Sequence, residues 1–279
     1  MTTVFISADI EGISGVVHND HAGPGQGEEY GRARRLMTRQ VNAAVSGALE
    51  GGARLVIVND SHGGMRNILI EELDPGARLI TGSPKPLSMM QGVEGCDLAF
   101  FLGYHTMAGT PGVLGHTYSS RTVHELRISG QPAGETLVNA SLAGYYGVPV
   151  VLVTGDSGVA AEAAAILHGV RTVAVKEAVG RYAAVCLPLK EADALIREAA
   201  RDAVRDALGP AGRPEPYRPP SPARFELRFM NTAQADAASM VPGSERLGPL
   251  VVAFTDEDYV TAFQAARVMM TVAGSVDSY

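Results

Sequence analysis

The chain has 279 residues, of which 46% are hydrophobic and 19% charged, with a mean hydropathy of +0.07; this composition excludes a disordered chain and allows a large core. At this size about 75% of the unfolded surface can leave water, so no disulfide or metal is needed merely to hold the fold together. Thirty Asp and Glu against 23 Lys and Arg give a net charge of −7, and no basic stripe is present to neutralise phosphates, so nucleic acid and anionic membrane surfaces are not expected partners.

The chain opens MTTVFISADIEG, where no Lys or Arg precedes the apolar run and Asp9 and Glu11 interrupt it. It does not read as a secretory signal, and no apolar stretch reaches the roughly 18 residues of a membrane helix. Cys96 and Cys186 are too few for a disulfide framework and sit among apolar residues, which reads as two buried thiols in a reducing compartment, the cytoplasm.

The first predicted strand is Thr3–Ala8. A Gly-rich loop leads to a predicted helix over Glu28–Glu50, with Leu36, Val41, Val45 and Leu49 near helical spacing and Gly51-Gly52 as its stop. Ala53–Val58, Leu98–Leu102 and Val148–Thr154 are near-continuously apolar, as buried parallel strands are, with shorter candidates at Leu79–Thr81 and Val123–Ser129. Helices are predicted at Glu135–Tyr146 and Ser157–Leu167, then a strand at Arg171–Val175 and a helix at Leu189–Leu208. Six prolines between Pro210 and Pro222 then mark an extended connector, 209–223. Beyond it come a strand at Arg224–Phe229, a helix in NTAQADAASM, a strand near Leu250–Phe254 and a closing helix from Asp256 to about Ala273. The pattern is α/β: a mainly parallel sheet with crossover helices over residues 1–180, expected to carry a metal site, and a smaller C-terminal α+β unit over 181–279.

Polar residues collect where strands end: Asp9-Ile10-Glu11-Gly12, Asn59-Asp60-Ser61-His62, Gly103-Tyr104-His105 and Gly155-Asp156. In an open α/β sheet these ends share one rim, where ligands bind. The two-residue period lets Asp9 and Glu11 point to one side, and Asp60 and His62 likewise. Carboxylates and imidazoles on one rim suit zinc, with manganese or another divalent ion as alternatives. Asp9, Glu11, His62, His105 and Glu135, the last at a predicted helix start, exceed the roughly three ligands of one open tetrahedral zinc. That count points to two metals sharing a bridging carboxylate, and the three carboxylates leave a positive surplus that favours a bridging hydroxide.

An isolated Asp-x-Glu also serves as a turn or cap, and a lone histidine as a hydrogen-bonded core residue; strand-end placement at three separate sites sets this group apart. His116, eleven residues after His105 in a Pro- and Gly-containing loop, suits proton transfer or oxyanion stabilisation beside a metal, or a plain surface position. Gly155-Asp156-Ser157-Gly158 has the order found at the nucleophile of trypsin-like serine proteases. Those are all-β proteins, so here it reads as a strand-to-helix turn capped by Ser157, with Asp156 supporting the site. Gly23-Pro24-Gly25-Gln26-Gly27 lacks dinucleotide-fingerprint spacing. His18 and His21 have metal-ligand spacing but read as part of a mobile loop over the site, and Lys85 and His124 receive no role.

Six segments together carry a resemblance: SADIEGISGV (7–16), VNDSHGGMRN (58–67), GSPKPLSMMQG (82–92), FLGYHTMAGTPGVLGHT (101–117), GETLVNASLAGYYGVPVVLVTGD (134–156) and VAVKEAVGR (173–181). In this order they resemble the DppA-type D-aminopeptidases, a family of zinc metallopeptidases. The resemblance implies that Asp9, Glu11, His62, His105 and Glu135 hold two zinc ions, with Asp9 or Glu11 as bridge. It also implies that His116 is the catalytic histidine, which the family uses as nucleophile; on chemical grounds a proton-moving or oxyanion-stabilising role is the alternative. It further implies release of an N-terminal D-amino acid, typically D-Ala, from short peptides by a homodecameric ring. The competing readings are a metal-dependent amidase or esterase acting on another small molecule, and a non-catalytic peptide- or metal-binding protein.

Overall fold

A computed structural model describes residues 2–23, 27–210 and 212–276. In chain order its elements are β1 (Thr3–Ala8), α1 (Asn19–Ala22), α2 (Gly27–Glu50), β2 (Leu55–Asp60), β3 (Ala77–Ile80), β4 (Leu98–Tyr104), β5 (Val123–Ile128), β6 (Gln131–Pro132), α3 (Glu135–Tyr145) and β7 (Val150–Asp156). There follow α4 (Ser157–Ile166), β8 (Arg171–Gly180), β9 (Ala183–Cys186), α5 (Leu189–Leu208), β10 (Ala223–Phe229), α6 (Thr232–Ala238), β11 (Glu245–Arg246), β12 (Val251–Asp256) and α7 (Tyr259–Gly274).

A seven-stranded sheet has the order β3-β2-β1-β4-β7-β8-β9, all parallel except β9, which returns antiparallel to β8. Every residue of β4 and β7 is buried, because both faces of the sheet are covered. Along β1 the period of two sends Val4, Ile6 and Ala8 to the side covered by α2 and α5, and Phe5 to the other side, where α3 and the second sheet lie. The chain builds outward from β1 through β2 and β3, then restarts at β4 on the opposite flank. The order therefore reverses between β1 and β4, and the crevice at the carboxyl ends of these two strands is where such sheets bind ligands.

The second sheet, β11-β12-β10-β5-β6, is antiparallel. In β10 the residues Ala223, Phe225, Leu227 and Phe229 are buried in alternation, the signature of a strand covered on one face. Helix α7 joins the core on that face through Phe263, Ala266, Met269 and Met270, and the Tyr259 hydroxyl donates to the Val138 carbonyl of α3 at 3.2 Å.

Sheet membership crosses the division expected at residue 180. Strand β5 pairs with β10, Phe225 opposite Ile128, because its alternation of buried Val123, Leu126 and Ile128 with exposed His124 fits a half-covered antiparallel strand. Helix α5, expected in the C-terminal unit, lays Ala192, Ile196, Ala200 and Val204 on the parallel sheet beside α2. The described residues of the connector, 209–210 and 212–223, contain no helix or strand except Ala223, which opens β10. Strand β8 runs five residues past the expected Val175 and turns into the unexpected β9.

A candidate metal centre at the sheet's carboxyl edge

Asp9 and Glu11 leave the end of β1, His62 follows β2, His105 follows β4, and Glu135 opens α3. Two glycines let these loops meet. Gly103 has φ +69°, a left-handed conformation, and a Cβ there would lie 2.2 Å from the Asp9 carbonyl oxygen; one on Gly12 would lie 2.0 Å from the Tyr104 carbonyl oxygen. The Gly12 N–H donates to the Gly103 carbonyl at 2.7 Å. With no side chain on either, the backbones after β1 and β4 touch, and the carboxylates of one reach the imidazole of the other.

His62 Nδ1 lies 3.1 Å from Asp9 Oδ1 and 2.9 Å from Glu11 Oε2. His105 Nε2 lies 3.5 Å from Asp9 Oδ2 and 3.6 Å from Glu135 Oε1. His116 Nε2 lies 4.0 Å from Glu11 Oε1 and 3.9 Å from Glu135 Oε1, its ring stacked on that of His105 with centroids 4.2 Å apart. Three overlapping groups each gather their ligand atoms within 4.8 Å: Asp9–Glu11–His62, Asp9–His105–Glu135 and Glu11–His105–His116. Asp9 belongs to the first two.

The other ring nitrogen of each imidazole faces a backbone carbonyl: His62 Nε2 to Ala22 at 2.6 Å, His105 Nδ1 to Thr106 at 3.0 Å and His116 Nδ1 to Leu114 at 2.9 Å. A carbonyl only accepts, so it fixes a proton on that nitrogen and leaves the opposite nitrogen facing the carboxylates, as in metal-ligating histidines. Buried His105 Nε2 has no hydrogen-bond partner, and Glu11 Oε2 makes none of acceptable geometry despite its closeness to His62. Such orphaned groups are costly unless something else binds them. A cation fits.

Charge states follow from the crowding. Burial, then the negative charge of Glu11, pushes the Asp9 carboxyl up to about 8. Burial opposes the charge on Glu11 as well, yet His62, His116 and His105 together hold it well below its usual range. Burial likewise opposes a charge on His105, but Glu135, Glu11 and Asp9 raise it to about 9. The same contest ends with His62 raised. Protons thus take the place of cations in the cluster. His116 differs: burial and the charge on His105 lower it, which keeps it neutral at pH 7.

Residues that the sequence reading passed over brace this arrangement. Lys176, buried in β8, donates from Nζ to the carbonyls of Glu11, Ile13 (3.0 Å) and Val16 (2.5 Å), and burial lowers it to about 8. A lysine inside the apolar run VAVKEAV was the available signal. The Tyr118 backbone N–H donates to Glu135 Oε1 at 2.7 Å. The loop bearing His116 is held by Arg181, whose carbonyl accepts from Leu114 N–H at 2.9 Å and whose guanidinium donates to the Gly115 carbonyl. Met65, Ser88, Leu114 and Tyr118 all have positive φ, backbone strain of the kind that gathers at functional sites.

The remaining residues singled out in the sequence find these places. The cap of α4 is Asp156, which accepts from Val159 N–H at 2.8 Å, and not Ser157; its second oxygen accepts from Val113 N–H at 2.6 Å and steadies the His116 loop. His18 caps the one-turn helix α1, and His21 accepts from Val17 N–H at 3.1 Å; neither joins the acidic cluster. Pro24, Gly25 and Gln26 of the Gly-rich loop lie outside the described residues. Lys85 donates to Asn59 Oδ1 and the Asp60 carbonyl, while His124 is exposed. Both thiols are free, and Cys186 is only half-buried because β9 is an edge strand.

The profile of a family described as D-aminopeptidase matches residues 2–268. A D-aminopeptidase of Bacillus subtilis (strain 168) is 38% identical over 272 residues, covering 97% of each chain. A solved structure, described as "Zn-dependent D-aminopeptidase DppA from Bacillus subtilis, a self-compartmentalizing protease", superposes with a TM-score of 0.95 at 36% identity over 100% of both chains.

Proposed function

The chain belongs to the D-aminopeptidase family, and from that premise we propose that it is a zinc-dependent aminopeptidase releasing the N-terminal D-residue, typically D-Ala, from short peptides. Asp9, Glu11 and His62 would hold one zinc ion and Asp9, His105 and Glu135 a second, the two groups having Asp9 in common. The observation that carries this reading is the set of imidazoles pinned through their far nitrogens to carbonyls, with orphaned His105 Nε2 and Glu11 Oε2 aimed into one buried cluster. The match to a zinc-dependent relative supports the choice of metal.

When bound, the ions supply Lewis acidity toward the scissile carbonyl and toward water. His116 does the proton work. Its Nδ1–H is committed to Leu114, so neutral Nε2 accepts a proton from the attacking water and returns it to the departing amine. Burial of Asp9, Glu11, His105 and Glu135 keeps bulk water from screening charge that develops in the transition state. The cavity over the cluster is small, about 110 Å³, which suits a short peptide of small residues. The substrate's free α-amine binds beside the acidic groups, which makes the enzyme an exopeptidase.

The protein works in the cytoplasm, which its free thiols suit. No helix among the described residues is long and apolar enough to cross a membrane. It assembles as a homodecameric ring; the relative described as self-compartmentalizing supports this. Hydrolysis of D-Ala-D-Ala beside L-Ala-L-Ala, zinc-loaded and chelated, tests the activity. Cleavage of the D form alone, abolished by chelation, is expected; cleavage of neither dipeptide would move the substrate to another amide or ester.

A further inference from the structure

Arg267 projects from α7 into the wall of the metal-site cavity, which it shares with His116, Tyr118 and Glu135. Its guanidinium lies 4.5 Å from the centroid of the Tyr118 ring, a cation–π contact that holds the planar group in place. The backbone N–H of that same tyrosine donates to Glu135, so the cation stands one residue away from a proposed zinc ligand. Among the described residues Arg267 has no carboxylate partner; the side-chain contact it makes to a polar atom is with Met270 Sδ at 3.8 Å, and a thioether is a weak acceptor. Arginines elsewhere, such as Arg197, Arg224 and Arg246, pair with acidic neighbours.

The other groups lining the cavity that can carry a charge at neutral pH are Asp9, His62, His116 and Glu135, all assigned to zinc or to proton transfer. Arg267 therefore supplies the one cation of the described lining that the chemistry does not use. An extended dipeptide spans about 7 Å from its amine to its carboxylate, short enough for both ends to lie within one cavity. A guanidinium is the side chain best shaped to take a carboxylate through two parallel hydrogen bonds.

We propose that Arg267 binds the free C-terminal carboxylate of a dipeptide substrate and so makes the enzyme prefer dipeptides with a free acid terminus. The inference rests on the aminopeptidase reading above and adds the feature that sets peptide length. A longer peptide, or an amidated one, brings a neutral group to the guanidinium and loses the ion pair.

The test compares kcat and KM on D-Ala-D-Ala and D-Ala-D-alaninamide for the zinc-loaded wild type and for Arg267→Gln and Arg267→Lys, with zinc content measured in each. The wild type is expected to favour the free acid by about tenfold or more in kcat/KM, mainly through KM. In Arg267→Gln that ratio should collapse to within about twofold, and Arg267→Lys should restore part of it. Equal wild-type rates on acid and amide would overturn the proposal. So would a loss in Arg267→Gln that falls equally on both substrates, which would mean that Arg267 only props Tyr118. Cleavage of neither substrate by the wild type is a separate result, one that defeats the aminopeptidase reading and the inference together.

Discussion

His62 and His105 differ from His116 in what their free nitrogens face. The first two lie within 3.6 Å of carboxylate oxygens on two sides, whereas His116 Nε2 stands at 3.9–4.0 Å from its two. His62→Ala and His105→Ala should therefore lower zinc content and turnover together, measured by metal analysis beside peptide hydrolysis; full zinc occupancy in either variant would remove that residue from the ligand set. His116→Ala should retain zinc while turnover falls by about 10²–10⁴-fold, the usual worth of a positioned acid–base group. Loss of zinc from that variant would make His116 a ligand instead. The protons held by the metal-free cluster give a second handle. Asp9 titrates near 8 and His105 near 9, and both must be deprotonated to bind metal. Below those values protons compete with zinc, so affinity should rise with pH up to about 9, and binding at pH 7 should release protons. Calorimetric titration in two buffers of different ionisation enthalpy reads that release directly, and identical heats in both would contradict it.

At the scale of elements, the loop from Glu11 to Val16 is shaped by β8, a strand far away in sequence. Lys176 satisfies three of its carbonyls at once, and Lys176→Met would leave them buried without a donor. That loop carries Glu11, so zinc affinity measured by chelator competition should fall by about 10–100-fold, the range seen when groups supporting metal ligands are removed; unchanged affinity would make the lysine irrelevant to the site. The element scale also shows what could be read from residues alone. Strands β1, β2, β4 and β7 announced themselves as apolar runs with polar ends, and their parallel order brings Asp9, Glu11, His62 and His105 to one edge. Their legibility is physical, since burial on both faces demands an unbroken apolar run. Strand β5 and helix α5 were located correctly along the chain, yet their partners were not legible. An alternating strand or a striped helix states that it has one apolar face, and not which surface covers it. Arg267 was invisible for the same reason: on α7 it is one polar residue beside an apolar stripe until packing places it in the cavity with Asp9, His62, His116 and Glu135.

At the scale of the whole molecule, the parallel sheet ends at β9, and the β8–β9 hairpin exposes Val179 (72%), Val185 (66%) and Tyr182 (49%). An open strand edge with apolar side chains is a surface that proteins normally cover, and the proposed ring supplies the means. Light scattering at micromolar concentration should give a mass near that of ten 29.2 kDa chains, and a clean monomer would rule the ring out. The hairpin is also tied to the loop of His116, the proposed acid–base group, because its Arg181 accepts from Leu114 N–H and donates to the Gly115 carbonyl beside His116. If the hairpin is one of the ring's contacts, Val185→Glu, which charges the edge without touching the metal cluster, should reduce the assembled mass. It should also lower kcat while leaving zinc content intact, since an unrestrained hairpin releases the loop that positions His116 Nε2. A variant that stays fully assembled would place the ring contacts elsewhere; one that dissociates with unaltered kcat would show that the His116 loop is held within a single chain.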